Sequence, residues 1–265
     1  MGSGKMLKVL LSGCNGKMGH VVADICASDD SIEVVCGLDI SAQSDHVFPV
    51  YTSVDEIQEA CDVAIDFSNP RALDALLPYC VAKKLPLVVC TTGHSGAQEL
   101  SMAAAAKDIA LFKSGNMTIG INLIAELLKR TAQVLGDGYD VEIIERHHNR
   151  KIDAPSGTAL MLADAVAQGL AYEPEYIYDR HSERRARGKH EIGMHSVRGG
   201  TIVGEHEVIF AGRDEIIEIK HTILSREVFA VGAVGAAKFL CECKAPGIYN
   251  MNDYVVAKAN GGQEA

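Results

Sequence analysis

The sequence predicts a doubly wound α/β domain followed by a smaller α+β domain with a mixed sheet. Three observations carry that prediction. Short apolar runs, "KVLLSG", "IEVVCGLD", "CDVAIDFS", "PLVVCTTG" and "IALFKSGN", alternate with helix-like segments from Lys8 to Gly115. Each run ends in small or polar residues, as the strands of a parallel sheet buried on both faces do. Glycines at 13, 16 and 19 stand between the first run and the first helix, and beyond residue 120 the alternation gives way to a different order of elements.

Taken in order, "KMGHVVADICAS" places Met18, Val21, Val22 and Ile25 at helical spacing. "PRALDALLPYCVAKK" and "SGAQELSMAAAA" supply two further crossovers. "IGINLIAELLKRTAQVL" is an amphipathic helix, "YDVEIIERHH" a strand and "TALMLADAVAQGL" a helix. "MHSVRGG", "GEHEVIFAG" and "DEIIEIKHTIL" read as strands of an antiparallel or mixed sheet. "REVFAVGAVGAAKFLCEC" is a closing helix whose small residues suit packing on a sheet. The basic stretch 179–193, "DRHSERRARGKHEIG", has no core-facing period and reads as a mobile surface loop.

Composition narrows the function classes. A chain of 265 residues suffices for one large domain or two modest ones. A net charge of −10 and the absence of tryptophan disfavour nucleic acid as a partner. No apolar run reaches the roughly 18 residues of a membrane span, and no signal-like segment opens the chain, so no membrane association and a cytoplasmic location are expected. The opening "MGSGK" reads as a cloning remnant ahead of a native start at Met6, and is no phosphate loop because no strand precedes it. Most of the eight cysteines lie singly in apolar surroundings, where a free thiol acts as a small hydrophobe. Cys241 and Cys243 form a C-x-C without further ligands nearby, so no metal is expected.

The first strand runs into Gly13, Cys14, Asn15, Gly16, Lys17, Met18 and Gly19, a G-x-x-G-x-x-G turn entering a helix. Glycines allow close backbone approach, and a helix start offers unpaired amides to a pyrophosphate. Asp39, at the end of the second strand, can accept from an adenosine ribose hydroxyl. A glycine turn can be structural and an aspartate merely solvated; strand, helix and acid together favour a Rossmann-like dinucleotide site. "CTTG" at 90–93 and "SGNMT" at 114–118 end two later strands and are expected on the same crevice. Asp39 favours a free 2′-hydroxyl, Ile40 offers a 2′-phosphate no charge, and Lys17 partly offsets this. The expectation is use of both NADH and NADPH with a preference for NADH.

The richest stretch is "ERHHNRKIDAPSGTA" at 145–159. His147, His148 and Lys151 follow a strand and precede a helix opened by Pro155, Ser156, Gly157 and Thr158. Free amides at such a start bind anions, and adjacent cations reinforce a carboxylate there. His and Lys also deliver protons near neutral pH, which the acceptor of a hydride requires. Without a cofactor domain upstream, a solvated basic turn with an ordinary N-cap would be the better reading.

This stretch closely resembles the E-x-H-H-x-x-K-x-D-A-P-S-G-T-A signature of the 4-hydroxy-tetrahydrodipicolinate reductase (dihydrodipicolinate reductase) family of diaminopimelate and lysine biosynthesis. "GCNGKMG", "IDFSNP", "CTTG", "SGNMTIGINL", "RGGTIVGEHEVIFAG" and "SREVFAVGAVGAAKFL" resemble its other segments, so the likeness covers nearly the whole chain. The resemblance implies a homotetramer acting on a cyclic dicarboxylate. It implies a dinucleotide-binding domain at 6–118, completed by 230–265, and a substrate-binding and oligomerisation domain at 119–229. By carry-over, His147 and Lys151 are the proton-handling residues, and His148, Gly157 and Thr158 bind substrate carboxylates. Gly13, Cys14, Asn15, Gly16, Lys17, Met18, Asp39, Cys90, Thr91, Thr92, Ser114, Gly115, Asn116 and Met117 line the cofactor. Cys90 stands where the family usually has glycine, so its backbone role transfers more safely than its side chain. A regulator that senses a nucleotide would need a second binding module, and none is visible; an amino-acid dehydrogenase of the same architecture is the rival within enzymes.

Overall fold

The computed structural model describes residues 6–243 and 245–261. The "MGSGK" opening and residues 262–265 of the expected completing segment lie outside the described residues. The chain divides into two compact units, one ending at Thr118 and resuming at Glu227, the other Ile119–Arg226.

In the first unit β1 (Leu7–Ser12), α1 (Lys17–Ala27), β2 (Ile32–Leu38), β3 (Val50–Tyr51) and β4 (Val63–Asp66) are followed by α2 (Leu73–Lys83), β5 (Leu87–Val89), α3 (Gly96–Ala105) and β6 (Ala110–Lys113). The second unit holds α4 (Ile119–Leu135), β7 (Asp140–His147), α5 (Gly157–Gly169), β8 (Glu175–Ile177), β9 (Glu191–Arg198), β10 (Gly204–Ala211) and β11 (Ile216–Ile223). The chain then returns to the first unit with α6 (Glu227–Glu242), β12 (Gly247–Tyr249) and α7 (Met251–Gly261).

The first sheet is seven-stranded in the order β12-β6-β5-β4-β1-β2-β3. Every pair in it is parallel. Leu10, Ala64, Leu87 and Leu111 from its central strands join Leu73, Leu76 and Met102 of the crossover helices in one buried cluster. Burial on both faces explains why these strands read as continuous apolar runs.

The second sheet runs β11-β10-β7-β9-β8. β10 pairs antiparallel with β7 and β11, whereas β7 pairs parallel with β9. Ile121 and Leu128 of α4 and Leu162 and Val166 of α5 pack with Val141, Ile143, Val208 and Phe210 of the strands.

Two differences from the sequence reading are physical. Residues 179–190 form the expected exposed loop, but the segment ends inside β9 and Arg180, Arg185 and Arg187 are tied down. Arg187 donates to the Val141 carbonyl (3.0 Å) and to Glu142 (3.0 Å), and Arg180 and Arg185 flank the buried Glu191 carboxylate. Ion pairing rather than apolar period orders it, which a hydrophobicity pattern does not register. β12 and α7 also follow the helix taken as the closing one; β12 is three residues long and lacks an alternation of its own.

Candidate active site

One group of predicted residues sits at the carboxyl end of the parallel sheet. Gly13 has φ +78°, and a Cβ there would lie 2.6 Å from the Phe67 carbonyl oxygen. At Gly19 a Cβ would lie 2.2 Å from the Gly13 carbonyl oxygen, so turn and helix meet at a distance only glycine allows. α1 starts after Gly16 with no side-chain cap, leaving its first amides available to an anion. The Asp39 carboxylate accepts from the Asn15 amide (3.0 Å) and the Ile40 amide (2.8 Å). The Asn15 side chain donates to the carbonyls of Ser41 (2.9 Å) and Gln43 (3.2 Å), and His46 Nε2–H donates to the Cys14 carbonyl (3.0 Å). Turn and acid are therefore one braced unit beside a cavity of about 560 Å³ lined by Gly13, Asn15, Gly16, Asp39 and Ile40.

Burial and the Asp39 charge push the Cys14 thiol up to about 11, so its contribution is backbone and packing. Lys17 is exposed and Met18 half-buried. Cys90, Thr91 and Thr92 follow β5, and Ser114, Gly115, Asn116 and Met117 follow β6; neither loop lines that cavity. The Cys90 amide donates to the Asp66 carbonyl (2.9 Å), and burial pushes the Cys90 thiol up. The Thr91 hydroxyl is buried without a partner among the described residues. Ser114 donates to the Asn116 carbonyl (3.1 Å), and Asn116 Oδ1 accepts the Thr118 amide (2.8 Å). A tight glycine turn, an uncapped helix start and a carboxylate on the wall of one cavity fit a dinucleotide.

The second group lies in the other unit. Alternation along β7 turns Val141, Ile143, Glu145 and His147 to one buried face. Glu145 is 1% exposed, and its carboxylate receives a fork from Arg198, Nη1 to Oε2 and Nη2 to Oε1, both 2.7 Å. His147 Nδ1 lies 2.6 Å from Glu145 Oε2, and the Ser156 amide donates to Oε1 (3.2 Å). Burial works against the Glu145 charge, but the bonds from Arg198 and His147 outweigh it and hold the carboxyl at about 2. An ionised carboxylate only accepts, so His147 Nδ1 carries hydrogen and Nε2 is the position left for proton exchange.

Ser156 caps α5, its Oγ accepting the Ala159 amide (3.1 Å), and shares a hydrogen bond with His206 Nε2 (3.1 Å). His206 is buried edge-on to His147, with ring centroids 5.1 Å apart. Lys151 Nζ pairs with Asp153 Oδ1 at 2.9 Å. That bond holds the Asp153 carboxyl below its ordinary range. His148 is pushed down by burial and by Arg226, whose Nη2 donates to His148 Nε2 (3.2 Å). Gly157 is exposed and Thr158 half-buried at the start of α5.

Residues 7–117 match the N-terminal and residues 120–255 the C-terminal domain of dihydrodipicolinate reductase. The chain belongs to the dihydrodipicolinate reductase family. It is 49% identical over 247 residues to a 4-hydroxy-tetrahydrodipicolinate reductase of Clostridium tetani, covering 93% of this chain and 96% of the relative. One from Caldanaerobacter subterraneus subsp. tengcongensis is 49% identical over 250 residues, 94% of this chain and 98% of the relative. In fold, the chain is similar to a dipicolinate-bound dihydrodipicolinate reductase from Paenisporosarcina sp. TG-14, with TM-score 0.76 and 23% identity over 92% of this chain and 97% of that one.

The sequence reading missed the residues that hold the predicted ones. Glu145 stands inside the reductase signature, and the period of β7 would have put it on the face of His147. Arg198 and His206 are brought in by neighbouring strands, opposite His147 and Glu145 respectively, and nothing local to their sequence announces it. Arg226 ends the second unit beside His148 and was equally unmarked.

Proposed function

We propose that the protein reduces 4-hydroxy-tetrahydrodipicolinate to tetrahydrodipicolinate, with loss of the hydroxyl as water, in diaminopimelate and lysine biosynthesis. The observation that carries this reading is the shared arrangement of Lys151, the α5 start and Asp153. A carboxylate of the chain itself, Asp153, rests on Lys151 Nζ at 2.9 Å, four residues before the start of α5 at Gly157. These groups therefore suit one carboxylate of a cyclic dicarboxylate, with Thr158 and His148 beside them.

Gly13 to Met18 and Asp39 would hold the pyrophosphate and adenosine ribose of NADH or NADPH, with Cys90 to Thr92 and Ser114 to Met117 contributing from the next strand ends. The reduced nicotinamide supplies a hydride when bound. Lys151 and His147 hand a proton to the reduced ring; Glu145 keeps His147 in one tautomer and orientation, as carboxylates do for catalytic imidazoles. NADH is the preferred donor. The enzyme works in the cytoplasm as a homotetramer, which light scattering on the purified full chain tests. Among the described residues no helix is long and apolar enough to cross a membrane.

The deciding experiment is NADH consumption with and without freshly generated 4-hydroxy-tetrahydrodipicolinate. Substrate-dependent oxidation supports the assignment; oxidation equal in both, or supported only by an amino acid, overturns it.

A further inference from the structure

Cys36 lies in β2, fully buried, and its Sγ is 3.7 Å from Cys61 Sγ. Cys61 is half-buried in the irregular segment before β4, 25 residues further along the chain. Two sulfurs at this distance are in van der Waals contact, and a disulfide needs them about 1.7 Å closer. The strand bearing Cys36 is fixed in the sheet, whereas the segment bearing Cys61 is outside any strand, so the approach falls to Cys61.

We propose that Cys36 and Cys61 form a redox modification site, a dithiol that peroxide converts to a disulfide, and that this oxidation weakens dinucleotide binding in the adjoining cavity. Packing alone accounts for a buried thiol, and Cys26 and Cys80 fit that description. The 36–61 pair adds sulfur contact, a partner reachable from solvent, and direct connection to the cavity. Cys36 is followed by Gly37, Leu38 and Asp39, and the last two line the cavity. Cys14 Sγ of the glycine turn packs so close to Gly37 that a Cβ there would lie 2.5 Å from it. From the other side, Glu59 in the Cys61 segment accepts from the Tyr51 hydroxyl (3.1 Å), and the residues after Tyr51, Thr52 to Val54, line the cavity too.

The pair is also divided into roles. The hydrogen bond from the Cys36 thiol, with help from Lys8, holds Cys61 below the usual thiol range against its burial, and the same bond with burial pushes Cys36 up. Cys61 as thiolate attacks one oxygen of hydrogen peroxide, the O–O bond breaks, and the departing hydroxide leaves as water on protonation, giving Cys61 sulfenic acid. Cys36 sulfur then attacks Cys61 sulfur; the S–OH bond breaks, and the hydroxide takes the Cys36 proton as a second water. Two thiols are oxidised to one disulfide and one peroxide is reduced to two waters.

The test treats the full chain with hydrogen peroxide and reads two quantities. Peptide mapping is expected to show a Cys36–Cys61 cross-link with loss of two hydrogens, reversed by dithiothreitol. NADH titration followed by fluorescence is expected to show Kd raised roughly threefold or more in the oxidised protein. Cys61→Ser and, separately, Cys36→Ala are expected to abolish both changes while binding NADH as the reduced parent does; Cys61→Ser decides the matter if the core variant does not fold. Sulfinic acid at Cys61 without a cross-link overturns the site, and a cross-link with unchanged Kd overturns its coupling to the cavity. The coupling rests on the cavity being the dinucleotide site, and that reading fails separately, by absence of NADH binding to the reduced protein.

Discussion

Glu145 Oε2 lies 2.6 Å from His147 Nδ1, and the same carboxylate carries the Arg198 fork and the Ser156 amide at the head of α5. One buried anion thus fixes the imidazole and the helix start together. Glu145→Gln keeps the shape, removes the charge that determines the His147 tautomer, and leaves Arg198 without its counter-ion. Breaking such a buried pair costs about 3–5 kcal/mol, so Tm should fall clearly. kcat should fall roughly 10²-fold with NADH affinity little changed, the lower end for loss of a positioned acid. A lowered Tm with kcat intact would make Glu145 structural only.

His206 predicts an acid limb in stability. Burial, reinforced by the nearby His147, pushes it from 6.5 down to about 4. Between those values the unfolded chain holds a proton that the folded chain lacks, so stability is full above the window and drains away as pH falls through it. The loss can reach roughly 3 kcal/mol from this group. Glu145 adds a second loss in the same direction at lower pH, between its ordinary 4.5 and about 2. Urea unfolding at a series of pH values across the upper window checks this, and His206→Gln should flatten that limb alone. An unchanged slope in the variant would assign the limb to another group.

How much of this was legible in the sequence divides by the range of the interaction. The parallel sheet announced itself because buried strands such as Leu87–Val89 are apolar throughout, and the glycine turn because Gly13 takes a positive φ and Gly19 meets the Gly13 carbonyl only six residues back. The end of β7 at His147 and the start of α5 at Gly157 were legible because both fall within one short stretch. Arg198 and His206 were not, because strand pairing across roughly 50 residues brings them to Glu145, and pairing partners leave no local trace. The arginine-rich segment at 179–193 was legible as a surface loop, but its ion pairs, to Glu142 on β7 and to Glu191 at its own end, follow no apolar period.

Asp39 predicts the cofactor preference. Its carboxylate is held at the cavity wall by the amides of Asn15 and Ile40, and Ile40 is 91% exposed without a charge to meet a 2′-phosphate. Both cofactors should be used, with kcat/KM higher for NADH, and Asp39→Asn should narrow the difference. A tenfold preference for NADPH in the parent, about 1.4 kcal/mol, would show the argument wrong.

Lys151, Thr158 and Asp153 separate proton delivery from carboxylate binding. If Lys151 hands over the proton, Lys151→Ala should lower kcat by roughly 10²- to 10⁴-fold with NADH binding nearly unchanged. His147→Gln should behave similarly, because it removes a titratable group and keeps hydrogen-bonding capacity. Thr158→Ala should mainly raise KM, the pattern of an interaction made equally in ground and transition states. Asp153 provides the contrast. Its carboxylate occupies Lys151 at 2.9 Å, and a substrate carboxylate must displace it. Asp153→Asn removes that competing charge and should lower KM with kcat retained. A raised KM in Asp153→Asn would mean that Asp153 orients Lys151 rather than competing for it. An effect of Lys151→Ala confined to KM would make Lys151 a clamp and leave His147 as the proton donor, and unaffected kcat/KM in both the Lys151 and His147 variants would remove the assigned site altogether.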